Sequence, residues 1–513
     1  MKFKKKCFGL LIAILCIYQS SLTGSDAVIK PVTPKASPEA VALLKFLYSI
    51  SGKYTLTGQH NYPNIKDRNS KFASKYIGKT PVIFSTDMGF AKSGDKDSHI
   101  ARFDIVKEVI KQHQLGSIIT VCWHAVPPTA DEPVTFRPLP GHVAPDSLAS
   151  VQGQILDGQF QDLLTPGTKL YKHWCSQVDT IAFYLKKLQE AHVPIIWRPY
   201  HEMNGNWFWW GGRRGKYSTL ALYRQLFDRL VNIHKINNLI WVWSMDRVHN
   251  PDMEFSKYYP GNKYLDILGL DVYGNDFNKT YYDSLMALSK GKLVTLGEVG
   301  TPPTKEILKN QPRWTYYVTW AGMVRSTSKK QYNSMTDGTM FLFQEDSAYL
   351  NNIKPYRMVC RLPELSSIHL NSKPDFTGTW IFNEDKSSLD NFGAGSLPSK
   401  MVISKNDNEL NVQKNFIQEY ADDRITDEKI SLTGEETKSE MMNSPKTMKA
   451  RWSDKGDTLI TESKVLFNRG GNINEMILNE NWHLKENGAV LSIYQYSKSS
   501  WGERRMTIVY DKQ

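Results

Sequence analysis

Short, almost unbroken apolar runs recur along the first two thirds of the chain. They are Tyr54 to Gly58, Pro81 to Ser85, Ser117 to Trp123, Val193 to Trp197, Leu239 to Ser244, Leu265 to Leu270 and Leu293 to Leu296, with Tyr316 to Trp320 as an eighth. Runs of this length without alternation read as strands covered on both faces. Amphipathic stretches at helical spacing separate most of them, including one from Pro38, Ala101 to His113, Trp174 to Ala191 and Thr219 to Ile236. Strand and helix in alternation imply parallel βαβ units. Eight units predict a (β/α)₈ TIM barrel, an α/β fold. A doubly wound open sheet is the alternative, but no Gly-rich phosphate loop follows an early strand.

The pattern changes near Leu370 to Asp375. Beyond Phe376, short alternating segments with polar turns appear: Gly378 to Phe382, Lys400 to Ser404, Glu409 to Gln413, Asp457 to Glu462, Ala489 to Gln495 and Arg505 to Tyr510. They predict a smaller, antiparallel all-β domain. Asp422 to Lys446 is polar and reads as loop. The expected division is a leader over 1–27, the barrel over 28–370 and the β domain over 371–513.

Charge and cysteines narrow the class. The 513 residues carry a formal net charge of +12, yet Lys and Arg are dispersed beyond the N-terminus, which argues against a nucleic-acid partner. Lys2, Lys4, Lys5 and Lys6 precede an apolar stretch, Phe8 to Tyr18, too short to span a bilayer; small residues follow at Ser25-Asp26-Ala27. This reads as a cleaved signal peptide, so the mature protein is expected to be exported: secreted, periplasmic or at the cell surface, with no transmembrane segment. Cys16 raises the alternative of a lipid anchor, against which stands bulky Leu15. Cys122, Cys175 and Cys360 match neither a disulfide framework nor a zinc pattern and read as buried thiols. No metal or other cofactor is expected, and the chain is expected to be a monomer.

Polar groups cluster just past the strands: Asp87, His124, His201 with Glu202, Asp246, Asp271 with Tyr273, and Glu298. In a TIM barrel this is the active-site face. Glu202 opens a loop crowded with Trp207, Phe208, Trp209 and Trp210. Flat aromatic rings beside a carboxyl group suit a sugar-cleaving site, and two carboxyl groups from different strands can straddle a glycosidic bond. Salt bridges to Arg198 or Arg247 are the structural alternative for the pair. Residue types alone do not say which glutamate does which task.

His201-Glu202-Met203-Asn204-Gly205-Asn206-Trp207-Phe208-Trp209-Trp210-Gly211 resembles the acid/base motif of glycoside hydrolase family 26. Gly58-Gln59-His60-Asn61, Thr86-Asp87-Met88-Gly89, Trp123-His124-Ala125, Asp271-Val272-Tyr273 and Gly297-Glu298-Val299-Gly300 agree with it, over roughly Ser37 to Leu362. The resemblance implies a retaining endo-β-1,4-mannanase acting on β-mannan, with Glu202 as acid/base and Glu298 as nucleophile. A β-1,3-xylanase, a mixed-linkage β-glucanase and a non-catalytic glycan-capture protein are the rivals, and the loop Ala125 to Gly167 that would decide is unreadable. His124 suits a sugar hydroxyl. His201 suits the nucleophile or the sugar, Tyr273 a hydrogen bond to the nucleophile, and Arg198 the orienting of a carboxylate. Trp207 and Trp320 are candidate sugar platforms; Trp209 and Trp210 either line an outer subsite or stack on each other. In the β domain, Phe376-x-Gly378-x-Trp380 with Asp385-Lys386-Ser387 resembles the opening of small lipocalin-like barrels, a sandwich being the other form. Trp452, Trp482 and Trp501 are candidates there for glycan contact or for core.

Overall fold

The computed structural model describes residues 29–92, 101–140, 145–365, 374–389, 393–418, 422–453, 456–469, 472–500 and 502–513. The leader, the composition change near residue 370 and Trp501 lie outside them.

The first barrel has eight parallel staves. The first is broken at Thr57 into β1 (Thr55–Leu56) and β2 (Gly58–His60). The others are β3 (Ile83–Asp87), β4 (Ile118–Trp123), β5 (Ile195–Pro199), β6 (Leu239–Asp246), β7 (Ile267–Val272), β8 (Leu293–Val299) and β9 (Trp314–Thr319). β9 pairs with β8 on one side and with β1 and β2 on the other, which closes the barrel. A short β10 (Phe341–Leu342) adds to β1. Every strand residue from β3 to β9 is buried, which is why the runs are continuous rather than alternating.

Helices α1 (Pro38–Ile50), α2 (Arg68–Ile77), α3 (Arg102–Gln114), α4 (Asp157–Leu163), α5 (Lys169–Glu190), α6 (Thr219–Asp228), α7 (Lys279–Ser289), α8 (Lys305–Asn310), α9 (Lys329–Met335) and α10 (Ser347–Val359) accompany the strands. Ser37 caps α1 by accepting from the Ala40 N–H, with Pro38 at the first position. The single helix expected over Thr219 to Ile236 ends sooner. Past Asp228 the chain makes one wide π turn, Arg229–Ile233, and Arg229 and His234 both bind Asp179. Among the described residues no helix is long and apolar enough to cross a membrane. Cys122, Cys175 and Cys360 are buried free thiols.

An arm ahead of α1 is fastened under the barrel. The Val32 N–H donates to Asp266 Oδ1 at 2.7 Å, Thr33 Oγ1 to the Leu239 carbonyl at 3.3 Å, and the Ser37 N–H to the Asn237 carbonyl at 2.8 Å. These partners stand at the N-terminal ends of β6 and β7, on the face opposite the strand-end polar clusters.

The C-terminal region is a ten-stranded antiparallel meander: β11 (Gly378–Phe382), β12 (Lys400–Asn406), β13 (Glu409–Phe416), β14 (Arg424–Ser431), β15 (Thr437–Met441), β16 (Ser444–Trp452), β17 (Thr458–Arg469), β18 (Asn472–Lys485), β19 (Val490–Ser499) and β20 (Gly502–Lys512). The last strand pairs with the first, so the sheet curls into a barrel whose only unpaired neighbours, among the described residues, are β14 and β15. The expectation of loop over Asp422 to Lys446 is corrected here, since β14, β15 and the start of β16 occupy it. Trp482 is buried and Trp452 stacks on Phe376 with centroids 6.1 Å apart, so both serve the core.

Candidate active site

Glu202 and Glu298 come together at the C-terminal mouth of the first barrel. Glu298 ends β8. Glu202 lies three residues past β5, after a sharp reversal: Tyr200 and Glu202 have φ of 49° and 50°, left-handed values that non-glycine residues seldom adopt. Such backbone persists only where the surroundings hold it, and it gathers at functional sites. Here the holding is visible. Tyr200 OH accepts from Trp174 Nε1 at 3.0 Å, and Trp210 Nε1 donates to the His201 carbonyl at 2.9 Å.

One carboxylate oxygen from each of Glu202, Asp271 and Glu298 lies within 4.8 Å of the others. A single guanidinium serves two of them. Arg198, on β5, donates to Asp271 Oδ2 at 2.9 Å and to Glu298 Oε1. Burial works against the charged guanidinium, but the attraction of Asp271 and Glu298 outweighs it and raises its pKa. The other oxygen of Glu298 accepts from Tyr273 OH at 2.7 Å, and Ser244 Oγ donates to Asp271 Oδ1 at 3.1 Å. Gly297 has to be glycine for this packing: a Cβ there would stand 2.7 Å from Asp271 Oδ1.

Among the described residues Glu202 has no cation, and its one side-chain partner is Trp207 Nε1, donating at 2.6 Å. Burial, reinforced by the negative charges of Asp271, Glu298 and Asp246, pushes its pKa well above the carboxylate range, and the indole N–H only partly opposes this. The Trp207 ring reaches Glu202 by lying across Gly205, where a Cβ would meet ring carbons at 2.2 Å.

The other residues singled out from the sequence stand around these carboxyl groups. His201 Nε2 is 3.8 Å from Glu298 Oε1, too far for the hydrogen bond to the nucleophile that was one of its expected roles. Burial, with Arg198 and two neighbouring histidines, lowers its pKa far enough to keep it neutral, and its Nδ1 has no partner among the described residues. Trp209 and Trp210 are fully buried and pack edge to face at 5.8 Å, so the stacking alternative holds and the outer-subsite one does not. Trp320 is half-buried, with His60 parallel beneath it at 3.8 Å and 11°. Burial pushes His60 down to about 3, so this backing ring is neutral.

His124 is set by Asp87, to which sequence reasoning assigned no role. Asp87 Oδ2 lies 2.9 Å from His124 Nδ1 and accepts from the His124 N–H and Cys122 Sγ, each at 3.1 Å. The signals for it were its place at a strand end and within Thr86-Asp87-Met88-Gly89. Asp271 was missed likewise as the second partner of Arg198. Both carboxylate groupings have the residue types of a cation site. In one, however, the guanidinium already lies between the acids. In the other, the Cys122 thiol is held protonated, its pKa raised by burial and by Asp87. The loop after β4 folds over the aromatic turn: Gln154 Nε2 donates to the carbonyls of Asn206 and Phe208 at 2.9 and 2.7 Å.

Known proteins resemble this chain. Residues 32–346 match the family model of glycosyl hydrolase family 26. A mannan endo-1,4-beta-mannosidase of Thermothelomyces thermophilus is 33% identical over 295 residues, 56% of this chain and 56% of that protein. The solved structure of GH26A from a Muricauda species is 39% identical, with a TM-score of 0.56, covering 61% of this chain and 98% of that one. That of a Podospora anserina GH26-CBM35 beta-(1,4)-mannanase is 27% identical, with a TM-score of 0.52, covering 64% and 70%. The chain spans about half the length of the curated relatives it matches.

Proposed function

The chain belongs to glycosyl hydrolase family 26, and from that membership we propose that it is an exported, monomeric, retaining endo-β-1,4-mannanase acting on mannan, glucomannan or galactomannan. The observation that carries the mechanism is the approach of Glu202 and Glu298 oxygens to within 4.8 Å. A retaining glycosidase sets its carboxyl groups about 5–5.5 Å apart, whereas an inverting one leaves about 6.5–9.5 Å for a water. The names of the relatives support mannan as the polymer.

The environments divide the labour. Glu202, with raised pKa and no cation, is the protonated acid and gives its proton to the glycosidic oxygen. Glu298, bound by Arg198 and Tyr273, is the carboxylate that attacks the anomeric carbon and forms the glycosyl ester. Glu202, now ionised, takes a proton from water. That water attacks the same carbon and releases Glu298, so two inversions give net retention. Trp207 orients the acid, Tyr273 and Arg198 hold the nucleophile, and His124, His201 and Trp320 meet the sugar.

Reducing-sugar release from konjac glucomannan, galactomannan, β-1,3-xylan and barley β-glucan tests the reading. Release from the mannans is expected, and Glu298→Ala should lower it roughly 10⁴–10⁶-fold in a chain that still folds. Release from xylan or β-glucan alone would keep the mechanism and change the sugar. Binding without release would point to a capture protein.

A further inference from the structure

Inside, the C-terminal barrel holds a polar cavity of about 110 Å³, in which Lys414 and Lys446 both donate to Glu428. Its outer face is built differently where β17 to β20 lie side by side. Residues directly opposite one another on paired strands share a face. One row runs Ile460, Asn481, Tyr494 and Thr507, and the next runs Glu462, Asn479, Tyr496 and Arg505. Tyr494 is 40% exposed, whereas its strand neighbours Ile493 and Gln495 are buried, so both rows face outward.

The two tyrosines stand about 6.8 Å apart along β19. Each has an apolar ring with a hydroxyl at its tip, a side chain suited to a surface that is part apolar and part wet. Amides flank them on β18. Asn479 Oδ1 is buried and has no hydrogen-bond partner among the described residues, a costly state unless something polar meets it. The Arg505 guanidinium lies over the Tyr496 ring at 5.1 Å, a second flat group diagonal to Tyr494.

The ionic groups around the rows are engaged with one another. Lys464 pairs with Glu475 at 2.6 Å, Lys498 with Glu503 at 3.0 Å, Arg505 with the same Glu503 at 3.6 Å and Arg451 with Glu462 at 3.7 Å. Across β17 to β20 the row of Tyr494 has no charged group at all. The complement of such a face is an uncharged chain with apolar C–H surfaces and many hydroxyls.

We propose that this outer face binds a neutral polysaccharide strand, the β-mannan that the first barrel is proposed to cleave. Tyr494 is the stacking platform, and Asn479, Asn481 and Arg505 meet hydroxyls. The choice of mannan rests on the glycosidase reading; the binding face does not.

Electrophoresis of the full chain through gels holding konjac glucomannan tests this, with Glu298→Ala present to prevent cleavage. Adding Tyr494→Ala should weaken retardation at least about threefold. In the otherwise unaltered chain, Tyr494→Ala should leave kcat/KM on mannopentaose unchanged. On the Glu298→Ala chain with Tyr494 intact, glucomannan should protect Tyr494 from acetylation by N-acetylimidazole, read by peptide mass. That measurement decides the matter if the tyrosine variant does not fold. Retardation unaffected by Tyr494→Ala, absence of protection, or equal retardation by anionic polygalacturonate would each overturn the binding face, whatever the first barrel does. Retardation by β-1,3-xylan or barley β-glucan alone, lost in Tyr494→Ala, would overturn the choice of mannan.

Discussion

The two barrels bury opposite ionic arithmetic. In the first, one guanidinium is shared by Asp271 and Glu298, and a third carboxyl group, Glu202, has no cation. In the second, one carboxylate, Glu428, is shared by two ammonium groups. A buried surplus of carboxyl groups is relieved by holding a proton more tightly, so the Glu202 pKa rises. A buried surplus of cations has no such outlet near neutrality. It presses the acid lower, and Lys414 and Lys446 hold the Glu428 pKa far below the carboxylate range against the opposing effect of burial. One imbalance raises the pKa of a carboxyl group; the other lowers it.

Breaking the shared group is the sharpest test. Arg198→Gln strands two buried carboxylates and should cost about 3–5 kcal/mol, read by chemical denaturation, together with nearly all activity. Glu428→Gln leaves two buried ammonium groups and should cost about 2–4 kcal/mol in the transition of the second barrel. The sign with pH follows from the depressed pKa. Stability from Glu428 is present above its unfolded value, about 4.3, and is lost as pH falls through the acid range towards its folded one. The variant should therefore show a flatter acid limb, and an unchanged limb would remove Glu428 as its source.

Smaller changes address the first barrel alone. Trp207→Phe keeps the ring but removes the N–H that opposes the upward shift of Glu202. Activity should drop roughly tenfold, the loss of a bond to a group that becomes charged as it gives up its proton, and the alkaline limb of the pH–rate profile should move to higher pH. Glu202→Gln should stabilise the fold by about 1 kcal/mol at neutral pH and above. A carboxyl group whose pKa is raised by folding contributes stability below its unfolded value and loses it as pH rises, a loss the amide does not suffer. Melting curves at pH 5 and pH 8 check this: the gain should be larger at pH 8.

How much of this was legible in the sequence depends on how local the signal is. The staves of the first barrel announce themselves because helices cover one face and packed side chains the other, which leaves continuous apolar runs. β14 is silent for the opposite reason. Its outer residues are Ile425, Asp427 and Lys429, and its inner ones begin with Arg424, Thr426 and Glu428, so apolar alternation is missing where the cavity is polar. Glu202 and Glu298 stand out by their neighbours in sequence. Asp87 and Asp271 do not, because the groups that give them meaning, His124 and Arg198, arrive from other strands. The Trp207 bond to Glu202 depends on a left-handed turn that composition does not reveal.

The arm of residues 29–37 decides which way the enzyme faces. It runs beneath the barrel and is fastened at Asp266, Leu239 and Asn237, at the end opposite Glu202 and Glu298. A tether through that arm would bear on the bottoms of β6 and β7 and would leave the mouth with Glu202 and Glu298 on the free side.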